Sequence, residues 1–95
     1  MIQTELKVSN NILSAQVTVT DAATLLFPER AFRNSGLLLN TDATVNMFIG
    51  GSTVTITTGY RVKAGEAIEY TAFNALYAVV ASGTIVAHTI EEFGI

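Results

Sequence analysis

The chain has 95 residues, of which 49% are hydrophobic and 14% charged, with a net charge of −3 from five basic and eight acidic side chains. That length suits one domain, the acidic balance argues against a nucleic-acid partner, and the absence of cysteine excludes disulfides and thiolate metal sites. An ordinary soluble domain carries about 25% charged residues, so this chain is short of charge to cover its own surface, and burial in an assembly is expected.

Residues 1 to 14 are polar and mixed and read as an arm, with room for a short strand at 2 to 8; residues 15 to 95 read as the folded domain. The opening "MIQTELKVSNNIL" has no basic segment followed by an apolar core, so no signal peptide is expected. No apolar run approaches the roughly 18 residues of a membrane helix, and no membrane partner is expected. From Ala15, "AQVTVT" alternates apolar and polar, the mark of a half-buried strand, with Val17 and Val19 toward the core. "ATLLF" (23 to 27) is a second strand, closed by Pro28, which lacks a ladder donor. "PERAFRN" (28 to 34) reads as a loop, and Asn34-Ser35-Gly36 as a turn.

"LLLN" (37 to 40), "VNMFI" (45 to 49) and "TVTIT" (53 to 57) follow as strands, the last burying Val54 and Ile56. "KAGE" is a tight turn, "AIEYTA" (67 to 72) a strand with Ile68 and Tyr70 on one face, and "LYAVVA" (76 to 81) another. Ser82-Gly83 signals a hairpin turn before "TIVAHTIEE" (84 to 92). About eight short strands, with turn signals every eight to twelve residues, predict an all-β, single-domain antiparallel sandwich.

The glycines at 50, 51, 59 and 65 raise the question of a phosphate loop. Such a loop needs a strand, a glycine-rich turn and a helix whose N-terminus faces the anion. A β segment follows Gly50-Gly51 instead, so these glycines are expected to bend a sheet, with positive φ in the tight connection. His88 stands alone, with only Glu91 and Glu92 near it, and a metal centre needs several convergent ligands. A Ser-His-Asp set could be drawn from Ser52 or Ser82, His88, and Asp21 or Asp42, but no nucleophile elbow is present. Glu66 and Glu69 face apart on a strand, as do Glu91 and Glu92. No catalytic residue, metal or cofactor is expected, and the chain reads as a non-enzyme.

Arg30 and Arg33 are the basic pair of the loop after Pro28; they either balance Glu29 in solvent or reach an acidic partner. Several strands are apolar on both faces. Phe48 must point away from Met47 and Ile49, and Val86 and Ile90 share the side opposite Ile85 and Ala87. Phe93 and Ile95 follow the last strand. Arg30, Arg33, Phe48, Val86, Ile90 and Phe93 are therefore the expected partner-binding residues, and a neighbouring copy the expected cover.

Three stretches carry a resemblance: "VTVTDAATLLF", "GLLLNTDATVNMFIGGSTVTITTGYRVKAGEAI" and "ALYAVVASGTIVAHTIEE". Asn40, the Ile49-Gly50-Gly51-Ser52 run, Ala64-Gly65-Glu66, Leu76-Tyr77-Ala78 and Ala81-Ser82-Gly83-Thr84 stand in the order and spacing of small bacteriophage virion proteins. The chain resembles that family over roughly residues 16 to 92, departing from its pattern at His88 and in the longer ending "IEEFGI". The resemblance implies a β-sandwich structural protein of a virion, such as a head decoration (cement) protein bound to the major capsid protein at the capsid surface, assembled in the host cytoplasm. It implies a homotrimer, because decoration proteins often occupy three-fold sites. The alternative is a carbohydrate- or receptor-binding module of a head or tail fibre, with Phe48, Tyr60, Tyr70 or Tyr77 as a stacking platform.

Overall fold

The period-two alternation becomes eight strands in a computed structural model that describes residues 10–94. They are β1 (Asn11–Val19), β2 (Thr24–Phe27), β3 (Arg33–Asn40), β4 (Met47–Gly50), β5 (Tyr60–Val62), β6 (Ala67–Glu69), β7 (Leu76–Val79) and β8 (Ile85–Phe93). The strand considered for residues 2 to 8, and Ile95, lie outside the described residues. Two four-stranded sheets form, in the orders β1-β8-β3-β6 and β2-β7-β4-β5, and every pairing is antiparallel. The chain changes sheet at every connection except β4 to β5. That order is a jelly roll, a double-sheet all-β architecture built from two Greek keys.

Alternation selects which side chains fill the space between the sheets. Val19, Phe27, Leu38, Met47, Val62, Val80 and Ala87 are essentially inaccessible there, with Leu26, Ile49, Leu76 and Ile85 beside them. Each large aliphatic or aromatic side chain so buried contributes about 1.5–3 kcal/mol. Val17 and Ile68 are partly buried against this cluster, and Tyr70 stacks on Phe27 with ring centroids 5.6 Å apart. Asn40 is the buried polar tie. Its amide donates to the carbonyls of Val45 (2.9 Å) and Val62 (3.2 Å), and its oxygen accepts the Asp42 N–H (3.0 Å).

Three expectations change. The Thr-rich stretch 53 to 57 is a run of turns, and the strand falls instead on Tyr60–Val62. Thr55 explains this: its hydroxyl lies 3.0 Å from those of both Thr57 and Thr58 and accepts both of their N–H groups, while its carbonyl accepts the Gly59 N–H. Side chains that serve the local backbone displace a ladder. Val54 still turns inward, but Ile56 is 44% exposed.

Gly50 and Gly51 do not adopt positive φ; Gly65 (79°) and Gly83 (71°) do. Gly59 is needed for close approach, since a Cβ there would meet Phe48 Cβ at 2.7 Å and Val54 Cγ2 at 2.9 Å.

Strand boundaries also move. Arg33 to Gly36, read as loop and turn, belong to β3, with a register shift between Arg33 and Ser35. Residues 11 to 14, read as the end of an arm, are the first part of β1, where Ser14 pairs with Ile90 and Asn11 with Phe93.

Candidate functional site

The register of the first sheet builds one face residue by residue. Cross-strand partners point to the same side of a sheet. With Leu38 inward, Leu37 and Leu39 point outward, opposite Ile90 and His88 of β8. On the other flank of β8, Gln16 pairs with His88, Thr18 with Val86 and Ser14 with Ile90. The outer face of this sheet is thus a band of Leu37, Leu39, Val86 and Ile90 with His88 at its centre, edged by Ser14, Gln16 and Thr18 of β1 on one side and by Ala67 and Glu69 of β6 on the other. Leu37 is 42% and Ile90 44% exposed. A shallow depression of about 490 Å³ opens on the band between Gln16, Leu37, Leu39, His88 and Ile90. The band carries aliphatic surface and few charges, which suits contact with another surface.

Two of the expected partner-binding residues, Val86 and Ile90, lie on this face. Sequence reasoning missed Leu37 and Leu39. The signal was present in "LLLN": in a strand, a run of three leucines must place the flanking two opposite the middle one.

Arg30, Arg33 and Phe93 converge elsewhere, around Glu91. Glu91 ends the inward row of β8, and β3 brings Arg33 beside it. Arg33 Nε and Arg30 Nε each donate to Glu91 Oε1 at 2.9 Å, and Arg30 Nη2 donates to Oε2 at 3.1 Å. Arg33 also donates to the carbonyls of Ala72 and Pro28 and lies over the Phe27 and Tyr70 rings. Burial by itself pushes the Glu91 carboxyl up. The hydrogen bonds and charges of Arg30 and Arg33 outweigh it and hold the group below the ordinary glutamate value. The expectation that Arg33 reaches a partner is therefore corrected: its side chain is fully buried, with its donors directed to groups of its own chain. Arg30 keeps a quarter of its side chain in solvent, with its guanidinium 3.9 Å over the Phe93 ring. Glu91, not Glu29, is the counter-charge of both.

Phe48 is half-buried in the second sheet, opposite Arg61 and Val79. The four aromatic rings considered as a sugar platform are divided between the sheets, with Phe48 and Tyr77 diagonal neighbours on one face of the second sheet. Tyr70 is stacked on Phe27, Tyr77 and Phe48 are half-buried, and Tyr60 stands exposed on β5. Among the described residues, no three His, Asp or Glu side chains converge as a metal site would require.

No family model matches the sequence, and no curated protein matches it. Solved structures do. The stem and receptor-binding domain of the spike protein P1 from bacteriophage PM2 superposes with a TM-score of 0.66 at 23% identity, covering 85% of this chain and 33% of that one. An HTH_3 family transcriptional regulator from Vibrio cholerae superposes with a TM-score of 0.64 at 9% identity, covering 88% of this chain and 44% of that one. The chain thus spans a third to less than half of the length of these neighbours. A spike and a transcriptional regulator share its architecture, so the likeness establishes the double-sheet fold and no more.

Proposed function

We propose that this chain is a non-enzymatic structural protein of a bacteriophage particle, a decoration protein that binds the outside of the head through the major capsid protein. The observation that carries this reading is the aliphatic band on one sheet face, with Leu37, Val86 and Ile90 exposed and Leu39 half-buried beside them. The sequence resemblance to small virion proteins and the fold likeness to a phage spike domain support it. A small rigid domain that binds an assembled shell better than its free subunits stabilises the shell by mass action. Self-association as a homotrimer, as the resemblance implies, would multiply each weak contact by raising its effective concentration. No cofactor, nucleic acid or membrane enters this role.

The test is co-sedimentation of the purified chain with emptied heads of the phage that encodes it. The parent is expected to co-sediment and to raise the temperature at which the heads come apart. Leu37→Thr with Ile90→Thr should keep the fold and lose binding, since both side chains already face out and neutral hydroxyls set no like charges opposite one another or Glu69. A second reading, a receptor- or carbohydrate-binding module of a spike or fibre, is favoured by the spike likeness. A parent that ignores heads but labels host cells or a glycan array would replace the first reading with the second.

A further inference from the structure

The two sides of the sandwich are defended differently. One side ends in β6 and β5, each of three residues, which carry Glu69 and Arg61, with Lys63 and Glu66 in the turn between them. The other side ends in β1 and β2, "NILSAQVTV" and "TLLF", which carry no charge and no proline. β1 is nine residues long, roughly 30 Å of strand, and pairs with β8 without a register shift. Free sheet edges are normally short, charged, bulged or covered, because a long plain edge is a template for another strand. Among the described residues, β1 has none of these guards. Its Ile12 is 70% and Leu13 48% exposed, although Leu13 belongs to the inward row opposite Glu91.

We infer that β1 is a pairing edge whose occupant is β1 of a second copy of this chain, antiparallel about a two-fold axis normal to the sheet. An uncharged strand can meet itself without placing like charges opposite one another, whereas β5 would oppose Arg61 to Arg61 and β6 is only three residues long. Antiparallel partners share a face, so two copies align with their outer faces on the same side. Pairing all nine residues places Ala15 on the axis. Leu13 of one copy then faces Val17 of the other, and Ile12 faces Thr18, which covers the two exposed apolar side chains. Ser14 of one copy faces Gln16 of the other. The result is one eight-stranded sheet in which the two aliphatic bands form a single surface. The inference stands independently of the virion role. It is also distinct from a trimer contact, because an edge paired with itself closes after two copies.

The experiment uses the intact chain and two charge variants at exposed positions. Sedimentation equilibrium of the parent should give an even number of copies, a dimer where the edge is the sole contact and a hexamer where the trimer of the proposed role also forms, whereas a lone trimer would overturn the inference. S14K/Q16K opposes lysine with lysine twice across the axis and should weaken dimerisation about tenfold. S14K/Q16E opposes lysine with glutamate and should restore it, and thermal melting of the isolated β signal checks that both variants fold. Because the parent lacks cysteine, Ala15→Cys supplies a direct probe. Opposed Cα atoms in an antiparallel pair lie within disulfide range, so Ala15→Cys should give a covalent dimer on mild oxidation and Ala67→Cys, on the guarded edge, should not. A parent that stays monomeric at about 0.1 mM, an assembly whose mass ignores S14K/Q16K, or equal crosslinking of the two cysteine variants overturns the inference. So does protection of β1 amides from hydrogen exchange that appears only when capsids are added, which would assign the edge to a capsid strand.

Discussion

A carboxylate held between two guanidiniums makes this small fold sensitive to acid at one residue. Removing the Glu91 charge leaves Arg33 fully buried without a counter-ion. Glu91→Gln should therefore destabilise the domain by about 3 kcal/mol, read from urea unfolding; an unchanged midpoint would mean that the cluster is solvated. The Glu91 carboxyl is depressed below its ordinary 4.5 by the two arginines. Its contribution is fully present above that value and is lost as pH falls through the lower folded-state value. Asp42 is also depressed, by the N–H groups of Thr44 and Val45, so it adds to the same acid limb. The melting temperature should stay level down to about pH 5 and fall below it, with a shallower fall in Glu91→Gln. The glycines give a second residue-scale contrast. Gly59→Ala forces Phe48 and Val54 apart and should cost about 1–3 kcal/mol. Gly51→Ala, with nothing within 4 Å of the new Cβ, should change stability little; equal effects would contradict the packing described around Val54.

At the scale of elements, alternation is reliable where a strand has a covered face and misleading where hydroxyls compete. "AQVTVT" and "TVTIT" look alike, yet the first pairs with β8 from Ala15 to Val19 and the second folds on Thr55. The difference can be measured. Val19→Asp places an unpaired charge in the core and should abolish the folded β signal in circular dichroism. Ile56→Asp, at a position that alternation alone would bury, should leave the melting curve within about 0.5 kcal/mol of the parent. If Ile56→Asp unfolds the domain, residues 53 to 57 are a strand after all. The arrangement of β3 shows the opposite error. Asn34, Ser35 and Gly36 have turn chemistry, but a register shift absorbs the extra residue and lets the strand run on to Arg33.

For the whole molecule, the strand order decides what is exposed. Because β8 lies beside β3, the outward residues of these two strands merge into one aliphatic band with β1 as its polar border, and because β1 is an edge, a long uncharged strand is left unpaired by the described residues. An all-β domain, the turns at Gly65 and Gly83, and the inward side of most strands were legible in the residues alone. These properties are local: side-chain direction alternates with backbone geometry, and glycine tolerates positive φ wherever a turn needs it. The alternation likewise placed Val86 and Ile90 away from the core before any strand order was known. Which strands meet was not legible, because pairing joins residues far apart in the chain and is selected by the packing of the whole core. Arg33 and Glu91 are 58 positions apart, and no spacing rule links them. The loop that sequence chemistry offered to a partner was instead drawn in by a buried carboxylate. The exposed aliphatic side chains instead gather on an outer sheet face that exists only once β1, β8 and β3 lie side by side.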